Sequence, residues 1–108
     1  MIIYEVNLEI DTAIYEQFKT WLYDHVKEML QLEGFLEAKI LHEQSDSTEK
    51  KKLKCCYLLI SQKNLDNYLT TQALHMRQEG IDKFGHHFSA TRKIFEVVES
   101  ICRGAPTS

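Results

Sequence analysis

The chain predicts an α+β domain in which four strands and two helical regions follow one another in the order β-α-β-β-α-β. Three observations carry this. Apolar and polar residues alternate cleanly from Ile2 to Ile10, the pattern of a strand with one face in a core. The period then lengthens from Ala13 to about Gln31, where Ile14, Phe18, Trp21, Leu22, His25, Val26, Met29 and Leu30 mark one stripe of a helix. Finally, Leu53 to Ser61 is apolar on both faces through Cys55-Cys56-Tyr57-Leu58-Leu59-Ile60, a strand that needs cover on both sides.

In the first strand Ile2, Tyr4, Val6, Leu8 and Ile10 point one way, and Ile3, Glu5, Asn7 and Glu9 the other. Asp11 or Thr12 is placed to cap the helix that follows. Gly34 ends that unit. The second strand, Phe35 to Glu43, presents Leu36, Ala38, Ile40 and His42 on one face and Phe35, Glu37, Lys39 and Leu41 on the other. Gln44 to Lys52 is a polar hairpin connection. Lys63 and Asn64 are placed to cap the second helical region. There Leu65, Tyr68, Leu69, Ala73 and Met76 form one stripe, and Leu74, Arg77, Ile81 and Phe84 a second. The stripe rotates near Thr70 to Gln72, which predicts a bend or two short helices. Gly85 is a C′ stop, and the last strand runs from about Phe88 to Glu99. Residues 1–101 form the domain; residues 102–108 read as a flexible tail.

In a chain of this length, that order most economically gives a four-stranded antiparallel sheet with both helices on one face, the ferredoxin-like arrangement. The other sheet face then stands bare. With the third strand apolar on both sides, and Phe35 and Leu41 assigned to that face, it is too apolar to be fully solvated. A two-fold homodimer, sheet against sheet, is the simplest cover.

Bulk properties narrow the setting. The 108 residues are 44% hydrophobic and 27% charged with one proline and four glycines, enough for one two-layer core and without linkers. A net charge of −3 gives no footprint for nucleic acid. MIIYEVNLEI lacks the basic region and cleavage site of a signal peptide, and no apolar run reaches membrane-spanning length. Three cysteines, two of them adjacent, fit a reduced cytoplasmic protein.

Several stretches together resemble a known family. They are the opening MIIYEVNLEID, the W-x-x-x-H of Trp21 to His25, GFLEAKI from Gly34, and EGIDKFGHHFSATRKIFE near the C-terminus. Over about residues 1–99 the chain resembles a small bacterial domain-of-unknown-function family related to the dimeric α+β barrel superfamily. The resemblance implies a ferredoxin-like fold and a back-to-back barrel dimer, and no particular activity. The wider superfamily includes cofactor-independent quinol oxygenases, haem-degrading oxygenases and plain ligand binders, with sites between sheet and helices or inside the barrel. Its haem-degrading branch uses an asparagine on the first strand, a tryptophan near the end of the third, and a histidine on the second helix. Asn7 matches the first. Leu59-Ile60 holds no tryptophan, and His75 comes about a turn early.

The candidate constellations are few. His75, His86 and His87 have no compact metal-ligand spacing and read as surface or capping groups. His25 is the titratable group on an apolar stripe and needs a named partner. Glu5, Asn7, Glu37, Lys39 and Arg92 are assigned to the bare sheet face, as a salt-bridge layer between subunits or as a polar cavity in which Arg92 holds an anionic group. Cys55 and Cys56 read as inert core thiols, and Lys50, Lys51, Lys52 and Lys54 as a solvated turn. Two functional classes remain. One is a non-enzymatic dimeric module that binds a small ligand or a protein. The other is a cofactor-independent oxygenase- or isomerase-like enzyme acting on a small aromatic or anionic substrate near His25, Tyr57 and Tyr68. His25, Asn7, Tyr57, Tyr68, His75 and Arg92 are the candidate ligand-binding residues; no cofactor, metal, nucleic acid or membrane is expected.

Overall fold

A computed structural model describes residues 1–44 and 49–104. Strand β1 (Ile2–Asp11) leads through a single 3-10 turn into helix α1 (Tyr15–Met29). Strands β2 (Phe35–His42) and β3 (Lys50–Leu59) follow. Two short helices, α2 (Gln62–Thr71) and α3 (Ala73–Phe84), precede strand β4 (Phe88–Glu96). The strands form one antiparallel sheet in the order β2-β3-β1-β4. This is the expected ferredoxin-like topology.

The β1 alternation sets the layers. Ile2, Tyr4, Leu8 and Ile10 are buried under the helices, opposite Leu59, Tyr57, Leu53 and Lys51 on β3. Phe18, Leu22, Val26 and Met29 of α1 and Leu65, Tyr68, Ala73 and Met76 of α2 and α3 close the core from above. Fully burying one such large apolar side chain stabilises the fold by roughly 1.5–3 kcal/mol.

Local chemistry explains where elements begin and end. The expected bend falls at Gln72. In the last turn of α2, Thr70 Oγ1 donates to the Asp66 and Asn67 carbonyls, and Thr71 Oγ1 donates to Asn67 O at 2.6 Å. Such bonds compete with the backbone ladder and favour a break. Gly85 stops α3 with φ +56°, its N–H returning to Ile81 O. The α2 cap is Ser61, not Lys63 or Asn64: its hydroxyl accepts from Asn64 N. Neither Asp11 nor Thr12 caps α1, because the 3-10 turn intervenes and Ile14 occupies the cap position. Asp11 instead takes Lys50 Nζ at 2.8 Å and the His87 ring at 3.0 Å, tying the ends of β1, β3 and β4 together.

Two assignments along the sheet are corrected. Phe35 does not join the bare face. A register irregularity makes Leu36 an extra residue between the pairs Phe35–Leu59 and Glu37–Leu58, and this turns Phe35 into the core against Tyr57 and Tyr68. Arg92 does not join it either. It pairs with Val6 on β1 and therefore lies on the helix side, while Lys93 pairs with Glu5. The second stripe of the helical region is also mixed: Phe84 is buried, but Leu74 and Ile81 are exposed. Strand β4 ends at Glu96, three residues early, and residues 97–104 carry no regular structure. Part of the polar hairpin connection and of the expected tail lies outside the described residues.

Candidate functional site

A cavity of about 270 Å³ lies between the sheet and the α1/α3 pair. Its existence depends on how those helices meet. Phe18 packs on Phe84 at 5.0 Å and Trp21 on Phe84 at 5.8 Å. One turn back along α3, Gly80 leaves room for the Trp21 ring, which a Cβ there would meet at 2.9 Å. Trp21 Nε1 donates to Glu79 Oε1 at 3.0 Å, so the indole is pinned at both ends. His25, a turn further along α1, stacks on Trp21 at 4.7 Å and reaches the cavity wall.

His25 is half-buried, and its Nδ1 has no hydrogen-bond partner among the described residues. Burial pushes the imidazole below its usual pKa, against a smaller opposing pull from the Glu79 charge. The ring is therefore held neutral, with one nitrogen uncommitted.

The floor is built on Tyr4. Its ring lies 6.1 Å from Tyr57 and 5.9 Å from Tyr68, and its hydroxyl accepts from Arg77 Nη2 at 2.9 Å. Arg77 Nε is buried and unpartnered among the described residues. Burial raises the Tyr68 hydroxyl to about 12, with Tyr4 adding to the shift and Arg77 and Arg92 opposing it. Burial likewise raises Tyr57, and pushes the Cys55 thiol up to about 12. All three groups stay protonated at neutral pH. The exposed lining residues Ile81, Gly85, Ser89 and Arg92 place the mouth between α3 and β4.

Of the six candidate residues, the structure brings four together here: His25, Tyr57, Tyr68 and Arg92. His75 does not join them and is exposed on α3. Asn7 lies on the opposite face, where its Nδ2 donates to Glu5 at 3.1 Å. That bond, supported by Lys54, holds the Glu5 carboxyl below the usual carboxylate range. The asparagine and histidine of the haem-degrading pattern thus share no site. Tyr4 and Arg77 were not singled out by pattern. The available signals were a charge on an otherwise apolar stripe at Arg77 and a glycine inside a helix at Gly80.

The other constellations are structural. His86 and His87 lie 4.3 Å apart, and His87 is engaged with Asp11. Among the described residues no three metal-ligating side chains converge. Lys50, Lys52 and Lys54 each meet a carboxylate across the sheet, so the basic patch is largely neutralised.

Comparison with known proteins bears on the family and the fold. The model of a domain of unknown function, DUF4286, matches residues 1–98. The chain belongs to this family. A search of curated proteins finds no match. Among solved structures, a dimeric ferredoxin-like protein from an uncultured marine organism superposes with TM-score 0.73 at 13% identity, covering 95% of this chain and 100% of that one. The haem degrader MhuD from Mycobacterium tuberculosis, solved with two haems in its active site, gives 0.68 at 14% identity over 94% and 100%. SnoaB, a cofactor-independent oxygenase from Streptomyces nogalater, gives 0.61 at 10% identity over 93% and 96%. At these identities the DUF4286 chain shares their ferredoxin-like fold, and nothing about assembly or chemistry follows from the likeness.

Proposed function

We propose that this DUF4286 protein is a homodimeric module that binds a small molecule in the cavity between sheet and helices without transforming it. The observation that carries the reading is the cavity itself, with two buried nitrogens of its lining residues, His25 Nδ1 and Arg77 Nε, left without partners among the described residues. Leaving such a group unsatisfied costs about 1–3 kcal/mol, which a ligand would recover by offering Arg77 Nε an acceptor and His25 Nδ1 whichever partner its tautomer needs. An apolar cavity of roughly 150 Å³ accepts benzene, so this one suits one or two fused rings. The reading favours a small ligand over a protein partner, because the polar groups converge inside a concavity and not on a rim.

The dimer rests on the other sheet face. Ile3, Leu41, Leu58 and Phe95 lie there around the Glu5–Lys54 pair, 3.2 Å apart, and a second copy would bury them. Sedimentation should find a dimer at micromolar concentration; a monomer there refutes this part of the reading. The three free cysteines, one buried in the core, suit a reducing cytoplasm. No helix among the described residues is long and apolar enough to cross a membrane.

The test uses the single tryptophan, Trp21, as reporter on the cavity wall. Bicyclic aromatics, neutral and charged, should change its emission with a stoichiometry of one per chain. Ala90→Phe, which fills the cavity from β4, should abolish the response. No response to any of the set in the wild-type protein would sink the reading.

One observation favours a second reading. His25 lines the cavity with its pKa lowered by burial, and a neutral imidazole is a competent proton acceptor, so the same cavity could serve a cofactor-independent oxygenase- or isomerase-like enzyme. Turnover of a bound aromatic that vanishes in His25→Gln, while binding persists, would establish that reading over the first.

A further inference from the structure

Resting on the cavity as a ligand site, we propose that its ligand is a small planar organic anion, an aromatic carboxylate or enolate, whose charged group sits between Arg77 and Arg92. The two guanidinium groups reach the cavity from different walls, Arg77 from α3 and Arg92 from β4. Arg77 bonds the Tyr4 hydroxyl and Arg92 pairs with Val6, the next residue along the same face of β1, so both stand over one stretch of that strand. Among the described residues neither forms an ion pair, whereas Lys50, Lys52 and Lys54 on the sheet each find a carboxylate. Among the described residues the lining holds no aspartate or glutamate, and Glu79, just outside it, is engaged by Trp21 Nε1. Two cations around an acid-free cavity leave a deficit of negative charge that an anion would fill.

The hydrogen-bonding inventory agrees. Arg77 spends Nη2 on Tyr4, and its buried Nε has no partner among the described residues. A guanidinium fork matches the two oxygens of a carboxylate. The Tyr68 hydroxyl, protonated at neutral pH, adds a neutral donor nearby. The rest of the space is set by rings: Tyr4 and Tyr57 below, Trp21 and His25 above. Flat walls on two sides select a planar ligand, and an apolar end excludes a free inorganic anion as the preferred occupant.

The probe pair is 2-naphthoate and 2-naphthamide, alike in shape and unlike in charge, titrated calorimetrically into the 108-residue protein. Naphthoate should bind at least about tenfold more tightly, the scale of a charge-assisted hydrogen bond. Arg77→Met and Arg92→Gln should each bring the naphthoate-to-naphthamide affinity ratio to within about twofold of one. Arg92 is exposed, so its variant keeps the test sound even if Arg77→Met, which also frees Tyr4, folds poorly. Equal binding of the two probes, or naphthoate binding indifferent to both substitutions, overturns the proposal and leaves the cavity reading standing. Failure of both probes overturns the two together.

Discussion

Replacing Gly80 by alanine sets two known effects against each other. Inside a helix, alanine gains roughly 0.8–1 kcal/mol over glycine. Here the added Cβ would stand 2.9 Å from Trp21 Cη2, about 0.5 Å short of the 3.4 Å at which ordinary contact begins. The indole has little room to yield, because Phe18 and Phe84 pack on it, His25 stacks on it, and Glu79 holds its nitrogen. Overpacking of this kind typically costs about 1–3 kcal/mol. The clash should therefore win by about 1 kcal/mol, lowering Tm by roughly 4–8 °C in a domain of this size. Thermal unfolding followed by circular dichroism measures this directly. Trp21→Phe removes the obstructing ring edge, so in that background Gly80→Ala should become stabilising, and the double-mutant cycle isolates the coupling. A Gly80→Ala protein that melts several degrees above wild type would show that the ring moves freely and that the α1/α3 approach is not set by this contact.

The buried titrating groups supply two further predictions. Tyr68 has a folded pKa raised to about 12 by burial. Its contribution to stability is thus full below its ordinary value of about 10 and lost as pH rises toward 12; Tyr68→Phe should flatten the alkaline fall in Tm, and an unchanged slope would refute the assignment. His25 is shifted the other way. Its neutral form favours folding above an ordinary pKa of about 6.5, and that contribution fades as pH falls through the lower folded value. In NMR titration one imidazole should charge only below that ordinary value and disappear from the spectrum of His25→Gln. Titration of His25 above it would mean that the Glu79 charge outweighs burial.

The sequence by itself determined the layers. Alternation at Ile2 to Ile10 and the stripe from Phe18 to Met29 are enforced by burial at every second or fourth residue, so tertiary contacts could only agree with them. The stop at Gly85 was legible because glycine acts within its own turn, and the break near Gln72 because the apolar stripe rotates there. What only the tertiary structure decided depends on register and on approach between distant segments. One extra residue at Leu36 turned Phe35 into the core, and one step along β4 moved Arg92 from the outer face to the cavity, since side chains alternate with a period of two. The pairing of Arg77 with Tyr4 spans 73 residues, and no local pattern announces it. His25 stood out in the sequence as a polar group on an apolar stripe. That it lines a cavity, stacked on a Trp21 ring for which Gly80 leaves room, only the packing of α1 on α3 decided.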